Sequence, residues 1–167
     1  MPAFLFESER LGYREFIPDD AGDLYRLNAD PEVIRYTGDP SFSSEEEARK
    51  FVLGYDRYRK DGYGRWGVIN KQDRDFLGWA GLKLVDGEVD LGYRFFRENW
   101  SQGFATEAAR ACINYGFKTL GISRIIARAL PENIASWKVL EKVGMRFIGF
   151  GTCKGLEGAR IYEILAD

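Results

Sequence analysis

Residues 100–108 read Trp-Ser-Gln-Gly-Phe-Ala-Thr-Glu-Ala, and the small residues Gly103, Ala105 and Ala108 lie between an aromatic-rich strand pattern and a helical run. A strand that turns on small residues into a helix leaves backbone N–H groups without carbonyl partners at the positive end of the helix dipole. Such a turn favours a bound phosphate or diphosphate, and small side chains let the anion approach the backbone. An ordinary tight strand–helix turn uses the same residues, so the segment alone supports both readings.

Composition narrows the rest of the chemistry. The chain has no histidine, which removes Ser-His-Asp and Cys-His nucleophilic catalysis and histidine metal ligation. A general base must then be a carboxylate, tyrosine, lysine or bound water. Cys112 and Cys153 match no zinc or redox spacing, and two cysteines make no disulfide framework, so a reducing, cytoplasmic setting is expected. A net charge of −2 argues against nucleic acid as a partner. The opening Met-Pro-Ala-Phe-Leu-Phe-Glu is too short and acidic for a signal peptide. No run of about 18 apolar residues offers a membrane span. With 167 residues, 45% of them hydrophobic, the sequence suits one domain over 1–167 with a sizeable core.

These residues need elements to position them. Leu11 to Phe16 alternates as a strand, and Pro18-Asp19-Asp20 starts a short helix through Leu24 and Leu27 that Asp30-Pro31 breaks. Overlapping capping boxes at 43–47 and the spacing of Ala48, Phe51, Val52, Tyr55 and Tyr58 predict one helix over 44–60. Strands are expected at 65–70, 76–85 and 88–96, the last two joined by an Asp86-Gly87 hairpin. A helix from Gly103 to about Thr119, a strand over 124–130 and a helix from Pro131-Glu132-Asn133 to about Val143 follow. A strand pair, 145–153 and 159–165, closes the chain across a Gly155–Gly158 turn. The order describes a mixed α/β domain in which the link from Phe96 to Arg124 is long enough for a parallel crossover.

The ordered set Leu91-Gly92-Tyr93, the Gly103 turn, Asn133-Ile134-Ala135-Ser136 and Leu140-Glu141-Lys142-Val143-Gly144-Met145 resembles the GNAT N-acetyltransferase superfamily of bacterial type. It looks closest to the branch that acetylates N-termini of ribosomal proteins. Ser101 replaces the usual Gly, Phe104 a Tyr and Met145 a Phe. The match extends forward to Glu9-Arg10-Leu11 and Asp30-Pro31-Glu32-Val33, so it covers nearly the whole chain. It implies the GNAT fold, with a mixed sheet of about seven strands splayed into a V and flanked by about four helices. It also implies transfer of acetyl from acetyl-CoA, without metal, to a primary amine by direct attack in a ternary complex. That amine is a protein N-terminus or a small molecule. A non-catalytic acetyl-CoA sensor is the rival role, and a homodimer is a state the resemblance allows.

The same resemblance assigns roles by position. Gln102, Gly103, Phe104 and Ala105 supply N–H groups to the diphosphate, with the Thr106 hydroxyl beside them or bonded to its own backbone. Arg94, Phe95 and Phe96 offer a strand edge to the pantetheine arm, and an N–H near Phe95 polarises the thioester carbonyl. Asn133 contacts the arm or caps its helix. Ser136 protonates the departing thiolate or is a solvated helix serine. Lys138 and Lys142 meet the 3′-phosphate or only solvate their helix. Asp90 is a candidate base acting through water, with a strand-edge charge as the alternative, and Glu163 is a second base or an outward-facing charge. Tyr55, Tyr58, Tyr63 and Trp66 line an acceptor pocket or pack in the core, and Cys112 reads as core.

Overall fold

The computed structural model describes residues 2–167. Its strands are β1 (Phe6–Glu7), β2 (Leu11–Arg14), β3 (Arg65–Asn70), β4 (Phe76–Val85), β5 (Glu88–Phe95), β6 (Arg124–Ala129), β7 (Arg146–Cys153) and β8 (Leu156–Leu165). They form one sheet in the order β1-β2-β3-β4-β5-β6-β8-β7. The helices are α1 (Ala21–Ala29), α2 (Pro31–Ile34), α3 (Glu45–Leu53), α4 (Arg57–Asp61), α5 (Phe104–Lys118) and α6 (Ile134–Lys142). The eighth strand is the two-residue β1, too short to leave a pattern in the sequence.

Alternation along the strands separates two faces. Ala80 and Leu82 of β4, Leu91 and Phe95 of β5 and Ile125, Ala127 and Ala129 of β6 pack with Phe104, Ala108 and Cys112 of α5 and Leu140 of α6. Each large side chain in this core contributes roughly 1.5–3 kcal/mol through burial. On the opposite face Phe16, Leu24 and Val52 pack with Phe76 and Trp79 beneath α1 and α3.

Two local expectations need correction. The helix over 44–60 is two helices, α3 and α4, broken at Gly54–Asp56. Ser44 caps α3 by accepting from the Glu47 N–H, as the capping boxes require. The break turns two hydroxyls inward: Tyr55 accepts from the Arg65 N–H, and Tyr58 accepts from Phe16 N–H and donates to the Arg65 carbonyl. The last turn lies earlier than expected, at Lys154-Gly155, where both residues have positive φ, so β8 starts at Leu156.

Every neighbouring pair of strands is antiparallel except β5 and β6. Those two run parallel and register at a single position, Asp90 opposite Ile126. Beyond it they diverge, and this is the splay on which the site is built.

Candidate active site

The wide end of the splay lies at the β5–α5 junction. Ser101 (φ 62°) and Gly103 (φ 82°) both adopt left-handed backbone and fold the loop under the start of α5. Glycine takes that conformation without strain, whereas at Ser101 it costs roughly 1–2 kcal/mol. No side chain caps α5. Its intrahelical bonding starts with Glu107 N–H to the Gly103 carbonyl, and among the described residues no protein acceptor faces the N–H groups of Gln102, Gly103, Phe104, Ala105 and Thr106. This array is positive, exposed at residues 101–103, and suited to a diphosphate. The Phe104 ring itself is buried in the core.

Arg10 and Glu107 hold the array in place. The Arg10 guanidinium donates to the Gln102 carbonyl at 2.9 Å and to Glu107 Oε1 at 2.7 Å, and lies 4.3 Å over the Phe104 ring. Glu107 Oε2 accepts from Ser8 Oγ and from the Arg10 N–H. Burial alone would raise the Glu107 carboxyl, but these hydrogen bonds together hold it below the ordinary range. Sequence reasoning missed Arg10 as a loop-supporting residue because its partners lie over 90 residues away. A groove of about 750 Å³ runs beside the junction, lined by Arg10, Gly103, Thr106, Arg110, Lys118 and Lys142 among others. Lys142 is among the residues that line this groove. Lys138 is exposed on α6 outside that lining.

The edge of β5 is narrower than expected. The two-residue Asp86-Gly87 turn sets Val85 opposite Glu88, so the even-numbered residues of β5 direct their backbone groups toward β4. Phe96 N–H accordingly donates to the Leu77 carbonyl. Arg94 and Phe96 are thus not part of the open edge, which is a correction. The Arg94 side chain is also spent elsewhere, on Asn28 and Asp39. Tyr93 and Phe95 face the gap that β6 leaves, and the Phe95 carbonyl is already taken by Trp100 Nε1.

Across the gap, the Tyr93 hydroxyl donates to the Ser136 carbonyl at 2.8 Å and lies 3.3 Å from Ser136 Oγ. Burial pushes the Tyr93 phenol up, so it stays a neutral donor. Asn133 flanks α6 without using its side chain as a cap. Its side-chain amide makes no hydrogen bond among the described residues.

The two candidate bases are both occupied. Asp90 Oδ2 accepts from Arg65 Nη2 and Oδ1 from Arg128 Nη1, each at 2.9 Å. Glu163 is corrected more firmly. Arg124 and then Arg146 bond its two oxygens and hold its carboxyl below the usual range. It also lies beyond Ile126 from Asp90 in the sheet register, two strand spacings or about 10 Å away. Trp66 is fully buried, and Tyr55 and Tyr58 bond backbone as above, so these three pack instead of lining an acceptor pocket. Tyr63 packs part-buried against the main core. Cys112 is fully buried.

Comparison with known proteins follows this geometry. Residues 10–146 match the family described as acetyltransferase (GNAT) domain. The chain is 34% identical to the uncharacterized N-acetyltransferase YnaD of Bacillus subtilis, over 86% of this chain and 83% of that protein. It is 32% identical to the uncharacterized N-acetyltransferase p20 of Bacillus licheniformis, over 83% and 80%. A GNAT-family acetyltransferase structure from Bacillus anthracis superposes with a TM-score of 0.82 at 31% identity, covering 95% and 96% of the two chains. With the splayed parallel pair and the open N–H array already in view, the chain belongs to the GNAT family and is an acetyl-CoA-dependent N-acetyltransferase.

Proposed function

We propose that this enzyme acetylates a primary amine by direct attack within a ternary complex, the diphosphate resting on the N–H groups of residues 102–106 and the thioester lying in the splay. The observation that carries this reading is the single register point between β5 and β6 beside an uncapped α5. Tyr93 and Phe95 face that gap and would donate N–H groups to the arm and to the carbonyl oxygen as charge gathers on it. Asn133 offers its free amide to the arm, and Thr106 its hydroxyl to the phosphates. The attacking nitrogen forms a bond to the acetyl carbon as the carbon–sulfur bond breaks. The Ser136 hydroxyl, steadied by Tyr93, hydrogen-bonds the sulfur as it leaves with the electron pair.

The amine's proton leaves to water. Both oxygens of Asp90 already accept from guanidinium groups, so Asp90 serves as the anchor of Arg65 and Arg128. Those cations disfavour a protonated acceptor beside them and lower its pKa. The resemblance to the ribosomal-protein branch favours a protein N-terminal α-amine among the acceptors.

Calorimetric titration with acetyl-CoA, followed by coenzyme A release against peptides and small amines, tests the proposal. Saturable binding with amine-dependent release is expected. Binding without release for any amine would leave only a sensor.

A further inference from the structure

The residues that surround the narrow end of the splay point to the acceptor's charge. α5 and α6 cover one face of β4, β5 and β6, so an acceptor reaches the gap from the other face. On that face, strand register sets Arg65 of β3 opposite Gly81 of β4, Gly81 opposite Gly92 of β5, and Lys83 opposite Asp90. Asp90 in turn lies opposite Ile126, two residues before Arg128 on the same face of β6. The Arg65 guanidinium lies across the two glycines and donates to the Gly81 and Asp90 carbonyls at 2.8 Å. A Cβ on Gly92 would come within 2.7 Å of it.

The rim adds further cations. Arg57 of α4 bonds the Leu84 carbonyl and Asp61. Arg94 and Lys154 both bond Asp39, and Lys154 sits at the β7–β8 tip where that tip touches Gly38. Charge does not balance here. Asp90 is shared by Arg65 and Arg128, Asp39 by Arg94 and Lys154, and Glu88 by Arg124 and Arg128. Lys83 is half-buried among them and has no carboxylate within ion-pair distance among the described residues. Burial, together with Arg65, Lys154 and Arg57, lowers the Lys83 ammonium from its ordinary value. This cationic face belongs to a molecule whose net charge is −2.

We infer that Lys83 receives an anionic group of the acceptor, so that the favoured substrate is an amine carrying a carboxylate, such as an amino acid or a peptide with a carboxylate near its N-terminus. One unpartnered ammonium matches a monoanion; a phosphate ester brings roughly −1.5 to −2. The proposal rests on the acetyltransferase reading and narrows its acceptor. The carboxylate sits at Lys83 while the amine reaches the gap past the Arg65 guanidinium that lies over Gly92, whose charge Asp90 already shares. A polyamine meets net repulsion on this face, since Asp90, Asp39 and Glu88 are each already shared by two cations.

Matched acceptors test it: amino acids against their carboxamides, dipeptides with Asp against Asn at the second position, and spermidine. Turnover is read by coenzyme A release and product mass, and acetyl-CoA binding by calorimetry. The carboxylate member of each pair should win by at least about tenfold in kcat/KM, the scale of a hydrogen bond to a charged group. Lys83→Gln should bring the ratio toward one, Lys83→Glu should invert it, and Lys83→Arg should keep it, while acetyl-CoA affinity is unchanged in all three. Preference in the amino-acid pairs alone identifies a free amino acid, and in the dipeptide pairs a peptide. Equal rates within pairs, a preference for spermidine, or a ratio insensitive to Lys83→Glu would overturn the inference while leaving the enzyme an acetyltransferase. Failure to bind acetyl-CoA at all would overturn the underlying reading instead.

Discussion

Gly103 and Glu107 do different work in the same loop. Gly103 has φ 82°, and a Cβ there would sit 3.4 Å from Arg10 Nη2, so the space is tolerable and the backbone conformation is not. A β-branched residue in left-handed backbone costs at least roughly 1–2 kcal/mol. Gly103→Val should therefore weaken acetyl-CoA by about tenfold or more, because the loop relaxes and scatters its N–H groups. Calorimetry at a temperature where the variant is fully folded measures this, and unchanged affinity would show that the array is not the diphosphate cradle. Glu107 adds a pH dependence. Its folded pKa lies below the ordinary value of 4.5, so the clasp with Ser8 and Arg10 is fully present above pH 4.5. That contribution is lost as pH falls through the folded value. Glu107→Gln should then be less stable than wild type near pH 7, with the gap in denaturation midpoint shrinking as acid protonates the wild-type carboxylate. A gap that is constant from pH 7 to acid would place the clasp's contribution elsewhere.

The helices and strands differ in how plainly the sequence announces them. β3 and β4 occupy the residues expected of them, and the Asp86-Gly87 turn fixes the register that decides which N–H groups of β5 face the gap. The helix over 44–60 has the right period and the wrong continuity. Its inward face is apolar throughout, and nothing local signals that two tyrosine hydroxyls will be drawn to backbone groups of distant strands. Tyr58 shows the consequence: its hydroxyl joins the Phe16 N–H to the Arg65 carbonyl, tying α4 to both the β2 end and the start of β3. Tyr58→Phe leaves a donor and an acceptor unmatched in a part-buried setting, at about 1–3 kcal/mol. A fall in unfolding free energy of that size is expected, with a smaller loss of activity, because Arg65 begins at this junction. Chemical denaturation of the two proteins measures it; equal midpoints would mean water replaces the hydroxyl.

At the scale of the molecule, the parallel crossover and the open N–H turn that follows β5 were legible because they are contiguous in sequence. The cationic face was not, since Arg57, Arg65, Lys83, Arg128 and Lys154 come from separate elements and meet only in the folded sheet. Asp90 shows the same limit: its position marks it as a base, but only the fold reveals the two guanidinium groups that occupy it. This concentration of charge makes a prediction that no single residue carries. Screening weakens attraction between an exposed anion and a partly buried cation, with a Debye length near 10 Å at about 0.1 M salt. With acetyl-CoA saturating, KM for a carboxylate-bearing amine should rise several-fold between about 0.05 and 0.5 M salt, while KM for its carboxamide stays nearly flat. The rate should also climb with pH as the free-amine fraction grows, following the acceptor's own lowered pKa, and Asp90→Asn should not remove that climb. A salt-insensitive KM for the carboxylate acceptor would leave the surrounding cations to structure alone, and a pH profile that flattens in Asp90→Asn would assign the proton transfer to Asp90.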